Sequence, residues 1–490
     1  MSDAVDAVVV GAGPNGLAAA VVLARAGLSV AVYERNKTIG GGARTAELTL
    51  PGFQHDICSA VHPMAFASAF FQAFGLEQRI PFTLPELSYG HPLDGGRAGL
   101  AYRDLERTVQ GLGRDGSAWR QLMGPLAAHA DGVAEFTGNQ LLRLPAEPLT
   151  ALRFGLRALE QGLPSWNLRF REEVAPAMLT GVAAHAIRPM PSISTAAAGL
   201  FLACFAHARG WPIPLGGTQR IVDALADDLR AHGGVIHTGT PISSLDELPR
   251  HRAVVLDVSP RSLAAIAGGR LPRNYVSRLA SFRYGNAVAK LDIALDGPVP
   301  WTNPQLAEAG TLHVGGSRAE IAAAERAVAR GRHASSPYVL VAQPSHADPS
   351  RAPEGQHVLW AYTHVPRGSD IDQTEPIIRQ LERFAPGVRD RILATASMTA
   401  RDMSDYNPNY VGGDISAGTA SVRQLIARPV LSTDPWRTPG RGVYLCSSST
   451  PPGPGVHGLG GMHAARSALR HEFGITELPT LSPRPTDSEE

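Results

Sequence analysis

The stretch VVVGAGPNGLAAAVVLARAGLSVAVYE, Val8 to Glu34, decides the fold. A β-branched apolar run, Val5 to Val10, stops at Gly11. An Ala- and Leu-rich stretch follows from Gly16 to Ala26, Gly27 ends it, and Ser29 to Tyr33 is a second apolar run. The reading is strand, tight turn, helix, strand, a βαβ unit of about 30 residues that starts a parallel sheet at the N-terminus. The turn, Gly11-Ala12-Gly13-Pro14-Asn15-Gly16, is a G-x-G-x-x-G. Gly11 permits the turn, Gly13 lets the backbone approach a pyrophosphate, and Gly16 lets helix and strand pack closely; the helix N-terminus adds unpaired N–H groups and a positive dipole. Glu34, followed by Arg35, ends the second strand 18 residues after Gly16. There a carboxylate accepts the hydrogen bonds of a ribose diol.

Three further segments lengthen this site. Gly40-Gly41-Gly42-Ala43-Arg44 places glycines and a cation where they reach the same pyrophosphate from the other side. Gly216-Gly217, the helical stretch Thr218 to His232 and Gly233-Gly234-Val235-Ile236 lead to Ile242, whose backbone is placed for an adenine edge. Gly442 to Cys446 runs as a strand into Gly453-Pro454-Gly455-Val456-His457-Gly458 and a helix that carries Met462. These offer contacts for a cofactor longer than one strand end can hold, and FAD is the cofactor expected.

A chain of 490 residues exceeds one ordinary core, so two or three compact units are expected. The fold class expected is α/β: a Rossmann-type FAD-binding domain with a parallel sheet, interleaved with a mixed α+β substrate domain carrying a helical insertion. The FAD-binding domain is assigned to 1–60, 211–268 and 435–476. The substrate domain takes 61–210, read as mostly helical, and 269–434, where Tyr284 to Leu295, Tyr338 to Gln343 and His357 to Val365 read as strands. The polar segment 477–490 is expected to be disordered.

Apolar residues make up 44% and charged residues 18%, a globular profile, and 45 basic against 44 acidic residues leave a formal charge of +1, which disfavours nucleic acid as a partner. The cysteines Cys58, Cys204 and Cys446 form no C-x-x-C pair, so neither a disulfide framework, a zinc site nor a redox dithiol is expected, and a reducing cytoplasm fits. The longest apolar run is about 12 residues, short of the roughly 20 of a spanning helix. The start carries no basic segment of the kind that opens a secretory signal.

The set GAGPNGL, IGGGA, PGF-x-x-D, GG-x-x-x-I-V-D-A-L-A and YLCSSSTPPGPGVHG resembles the phytoene desaturase-like flavoproteins over nearly the whole chain. Within them it is most similar to the group called pyridine nucleotide-disulfide oxidoreductase domain-containing protein 2, which the stretch Asn407 to Asp414 and the pair Arg428-Pro429 also resemble. The resemblance implies that Gly11, Gly13, Gly16, Glu34, Gly40, Gly41, Ile242, Gly455 and Val456 touch FAD and that Asp56 lies near the flavin. Phytoene desaturases usually carry Arg directly after the second glycine pair, where this chain has Gly42, and their C-terminal loop commonly reads His-Pro-Gly where this chain has Pro451-Pro452-Gly453.

The flavin is expected to carry the difficult step while the protein orients a substrate and takes a proton. His457, His55 and Asp56 are the catalytic candidates, with His62 behind them. Ala65-Phe66, Phe70-Phe71 and Gly199 to Phe205 are expected to line a pocket for a hydrophobic small molecule. With no second G-x-G-x-x-G after a strand, oxygen or a quinone is the expected electron acceptor. The amphipathic stretch Leu152 to Gly162, with Arg153 and Arg157, allows peripheral membrane contact. The leading expectation is an FAD-dependent dehydrogenase or desaturase; a non-redox flavin-dependent isomerase and a regulatory protein with structural FAD are the alternatives.

Overall fold

The computed structural model describes residues 4–483 and is built around two sheets. The first has five strands, all parallel, in the order Val443–Leu445, Ala253–Leu256, Ala7–Val10, Val30–Tyr33 and Val235–His237. Ala7–Val10 is central, pairing Val8 with Val254 on one side and with Ala31 on the other. Its four residues are buried, as a parallel strand covered on both faces requires. The helix Pro14–Arg25 packs on this sheet together with Gln219–Ala231 and Leu459–Ala468. A Rossmann-type sheet is thus assembled from segments hundreds of residues apart.

The second sheet has seven strands, in the order Ile392–Met398, Ala287–Leu295, His357–Val365, Val339–Ala342, Thr311–Val314, Leu87–Pro92 and Ala98–Tyr102. It is antiparallel except where Thr311–Val314 runs parallel to Leu87–Pro92. Alternation sorts its two faces. Leu291, Ile293, Leu295, Leu359 and Ala361 face a core closed by Ile377, Leu381 and Phe384 of the helix Thr374–Phe384. Leu340, Ala342, Trp360 and Tyr362 belong to the other face. The helices Gly116–Ala127, Pro148–Gly162, Val174–Ala183 and Ile193–Ala208 form a separate apolar cluster beside it.

The α/β class with a mixed second sheet is as expected, but the stretch 61–210 is not simply helical. Leu87–Pro92 and Ala98–Tyr102 form a hairpin that completes the second sheet. It turns at Asp94-Gly95-Gly96, where both glycines have positive φ. The segment read as a disordered tail is in part anchored: Leu481 is buried in the first core and Arg25 donates to the carbonyls of Thr480 and Ser482. Positions 484–490 of that segment lie outside the described residues.

Asp56 ties the two sheets together and is not placed at the cavity described below. Its Oδ1 accepts from Thr45 Oγ1 at 2.7 Å and from the Thr218 N–H at 2.9 Å, and its Oδ2 accepts from Arg351 at 2.7 Å. Both side chains of the ion pair are buried. Removing one partner of a buried pair strands the other charge, which costs about 3–5 kcal/mol. Asp56→Ala is therefore expected to lower the thermal unfolding midpoint sharply, and an unchanged midpoint by calorimetry would refute this bracing role.

Candidate functional site

A single cavity of about 710 Å³ runs from the glycine turn of the first sheet to the Leu340–Tyr362 face of the second. At its first end the parallel strands present their carboxyl ends, the place where open α/β sheets bind ligands. Gly11 turns with φ +100° and its N–H donates to the Tyr33 carbonyl at 2.8 Å. A Cβ on Gly13 would stand 2.7 Å from Asp257 Oδ2, and one on Gly16 would stand 2.1 Å from the Gly11 carbonyl oxygen. The backbone clash leaves no room for a side chain at Gly16, and one at Gly13 would displace the Asp257 carboxyl. The helix begins at Pro14 with no side-chain cap from Gly13.

Glu34 lines the cavity with Oε2 accepting from the Ala12 N–H and Oε1 from the Asn36 N–H, both at 2.9 Å. A carboxylate has about four acceptor sites, so acceptor capacity remains for a diol. Asn15 Oδ1 is buried and unpartnered. The bare turn and the acid at the second strand end fit the adenosine-pyrophosphate part of FAD.

Of the residues expected to bind the cofactor, Gly11, Gly13, Pro14, Asn15, Glu34, Arg35, Gly41, Ile242, Gly455 and Val456 line this cavity together. Gly16 and Gly40 act behind the wall. Gly16 donates to Asp257 at 3.0 Å, and the Gly40 N–H, donating to the Ala12 carbonyl at 2.8 Å, docks the second glycine cluster onto the first. Met462 is buried in the first core rather than in the lining. Arg44, expected at the pyrophosphate, lies behind the lining, its guanidinium 3.7 Å from Glu34 Oε1. Its guanidinium donates to the carbonyls of Ile39 and Thr38 and to the Tyr406 hydroxyl, which braces the loop from beneath.

The catalytic candidates are likewise held inside the protein. His457 is fully buried, with Nδ1 accepting from the Leu459 N–H at 3.0 Å and Nε2 3.1 Å from the Gly453 carbonyl. Both nitrogens shape the loop Gly453–Leu459, and burial pushes the imidazole down to about 4. It is a neutral brace. His55 pairs its Nε2 with Thr49 Oγ1 and lies 3.5 Å from Asp292, off the cavity; burial pushes it down to about 3. His62 does line the cavity, its Nε2 2.9 Å from Thr218 Oγ1, whose hydroxyl donates to the Ser59 carbonyl. Phe70 and Phe71 are core residues, and of the stretch Gly199 to Phe205 only Phe201 and Leu202 reach the lining.

The sequence gives no sign of Asp257 and assigns no site role to Asn409, Tyr410 and Arg428, though these three fall in stretches that carry the resemblance. Asp257 follows the strand Ala253–Leu256 directly, and Asn409 clasps it by donating to its carbonyl at 3.2 Å. Tyr410 explains Gly42: a Cβ there would stand 2.0 Å from the Tyr410 hydroxyl, so the tyrosine fills the space an arginine side chain would need. Arg428 is buried and lines the cavity while donating to the carbonyls of Ser416, Ala417 and Ser448. It clamps two loops, and burial pushes it down to about 10. Asp414 beside it accepts from the N–H groups of Gly285, Ser416 and Gly418.

The glycine turn, the acid and the second sheet closing over one cavity define a dinucleotide-dependent oxidoreductase of the flavin type. The chain belongs to the family of flavin containing amine oxidoreductases, whose sequence model matches residues 15–465. It is an FAD-dependent oxidoreductase. It is 28% identical to pyridine nucleotide-disulfide oxidoreductase domain-containing protein 2 of Rattus norvegicus over 95% of this chain and 93% of that one. It is 26% identical to phytoene dehydrogenase of Streptomyces griseus over 79% and 77%. Putrescine oxidase solved with bound putrescine shares the fold, with a TM-score of 0.59 at 17% identity, over 95% of this chain and 98% of that one.

Asp257 gives the cofactor end a pH dependence. Burial pushes its carboxyl up to about 7, aided by the charge of Glu34 and opposed by the Gly16 hydrogen bond. Below that pH it is neutral; above it, a second anion stands beside the glycine turn. The dissociation constant for FAD is therefore expected to rise about tenfold between pH 6 and pH 8, and Asp257→Asn to flatten the rise. Fluorescence titration of the apoprotein measures this; a flat wild-type profile would disprove it.

Proposed function

We propose that the substrate is an uncharged, apolar small molecule from which a hydride passes to the flavin. The observation that carries this reading is the composition of the cavity wall at its second end: Phe136, Phe154, Phe201, Leu340, Trp360 and Tyr362 line it. Among the lining residues the carboxylates are Glu34 and Asp257, both engaged at the glycine turn. A cationic amine at the aromatic end would be desolvated without a counter-charge, which is costly. A neutral molecule is not penalised in this way. Arrangement into a discontinuous FAD-binding domain and a substrate domain accords with this, the cavity lying where the two sheets meet.

When bound, FAD supplies hydride acceptance at N5. The substrate loses that hydride from one carbon and a proton from its neighbour, carbon or nitrogen, and gains a double bond; saturation is the same step reversed. Oxygen or a quinone then takes up the two electrons with two protons. The chain's own residues exclude water and orient the molecule against the sheet face, while the buried brace His457 holds the flavin-end loop. The three free cysteines accord with a reducing cytoplasm.

Anaerobic mixing of the FAD-loaded protein with candidate apolar substrates tests this. The flavin absorbance is expected to bleach, with a product two electrons more oxidised, and to recover on admitting oxygen or a quinone. Isomerised product without bleaching would transfer the reading to an isomerase, and rapid reduction by NADPH would overturn the choice of acceptor.

A lipid surface is the proposed route of access. The helix Pro148–Gly162 turns Phe154 toward the cavity and leaves Leu149, Leu152, Leu156 and Leu159 exposed on its other side, with Arg153 among them. Such a stripe is suited to lie in a bilayer interface; among the described residues no helix is long and apolar enough to cross a membrane. The protein is expected to float with phosphatidylcholine–phosphatidylglycerol vesicles and the Leu152→Glu, Leu156→Glu double variant to stay behind. Failure of the wild type to float would end this idea.

A further inference from the structure

Besides the unpartnered Thr311 Oγ1 and Trp360 Nε1, the apolar end of the cavity carries a paired polar device that neither the cofactor nor the loop scaffold uses. His185 lies on the short turn Ala184–Ala186, between the helices Val174–Ala183 and Ile193–Ala208, and lines the cavity beside Trp211 and Thr311. It is half-buried, and its ring meets that of Trp211 edge-on at 6.1 Å. Its Nε2 is 2.9 Å from Nε2 of His313. His313 sits one register step along the strand from Thr311, fully buried between Tyr89 and Tyr338.

The proton between the two rings can be placed. Burial holds both imidazoles neutral, with His185 pushed down to about 3 and His313 well below the usual range. Each ring therefore carries one N–H. His313 Nδ1 is buried with no hydrogen-bond partner. If His185 were the donor, the proton of His313 would sit on that orphaned Nδ1, and a buried unsatisfied N–H is among the rarest features of folded proteins. With His313 donating from Nε2, its Nδ1 is only a bare lone pair. His185 then accepts at Nε2 and carries its own proton on Nδ1. That N–H is the one donor of the pair left uncommitted, on the ring that lines the cavity.

We propose that His185 is a specificity-determining residue whose Nδ1–H donates to a neutral oxygen acceptor on the substrate, a carbonyl, ether or hydroxyl oxygen, and that His313 is the positioning residue that fixes this tautomer. This rests on the reading of the cavity as the seat of an uncharged apolar molecule, and it narrows that class to apolar molecules carrying an oxygen function. A hydrogen-bonding group in an aromatic wall rejects a molecule that cannot satisfy it more strongly than an apolar wall rejects a polar one.

The test uses FAD-loaded protein and a matched pair of probes, 4-phenylcyclohexanone and phenylcyclohexane, with binding read from the perturbation of the flavin absorbance. The ketone is expected to bind at least about tenfold more tightly than the hydrocarbon, the size of one net hydrogen bond at a buried site. His185→Phe is expected to bring the ratio to about one, and His185→Gln, which keeps an N–H donor, to restore part of it. His313→Phe, which removes the partner that sets the tautomer, is expected to reduce the ratio as well. A merely structural His313 would weaken both probes alike. If both probes bind wild type equally, or the preference survives in His185→Phe, the role of His185 is overturned while the apolar reading stands. If neither probe binds, the apolar reading itself falls and the role of His185 with it.

Discussion

The close approach of the Gly11–Gly16 turn to Asp257, at the end of the neighbouring strand, is the constraint on which the rest of the molecule depends. There the backbone of one strand–helix junction lies against the residue that follows the neighbouring strand, with the Gly16 N–H bonded to the Asp257 carboxyl and no room for a Cβ at Gly16. This contact fixes where the helix Pro14–Arg25 starts and therefore where its positive end points. It also sets the register in which Ala7–Val10 lies beside Ala253–Leu256. The cavity opens from that point, and everything placed later in the chain is arranged around it.

What could be read in advance follows from how local each signal is. The βαβ unit is legible because strand, turn, helix and terminal acid all fall within Val8 to Glu34, and each residue type there has a conformational reason. The hairpin Leu87–Tyr102 was hidden because Leu87 to Pro92 is buried throughout and shows no alternation; only the Asp94-Gly95-Gly96 turn announced it. Arg44 and His457 were misplaced for a different reason. Their positions in the chain are right, beside the two loops that meet the cavity, but which way a side chain turns is settled by partners such as Tyr406 and Leu459, and nothing local predicts those. His185 and His313 lie 128 positions apart, and their pairing exists only once the helical cluster is folded against the sheet.

The two ends of the cavity are chemically unlike, and the difference follows from the two sheets. The parallel sheet offers strand ends, helix dipoles and backbone N–H groups, a surface suited to phosphates and sugar hydroxyls. The antiparallel sheet offers its face, and a face made of alternate residues presents side chains: Thr311, Ala342 and Trp360 in one row across the strands, Leu340 and Tyr362 in the next. Relatives can therefore keep the first end and change their chemistry by altering the second.

The meeting of Tyr410 with Gly42, and the presence of Val456 and the Gly11 turn in the lining of one cavity, have a consequence for how the protein is made. The cavity lining draws on residues from the tenth position to the four hundred and fifty-sixth, so no nascent fragment on the ribosome encloses a finished cavity. The opening βαβ unit can form early, since its contacts are local, yet it must wait with its glycine turn uncovered until almost the last of the chain has emerged.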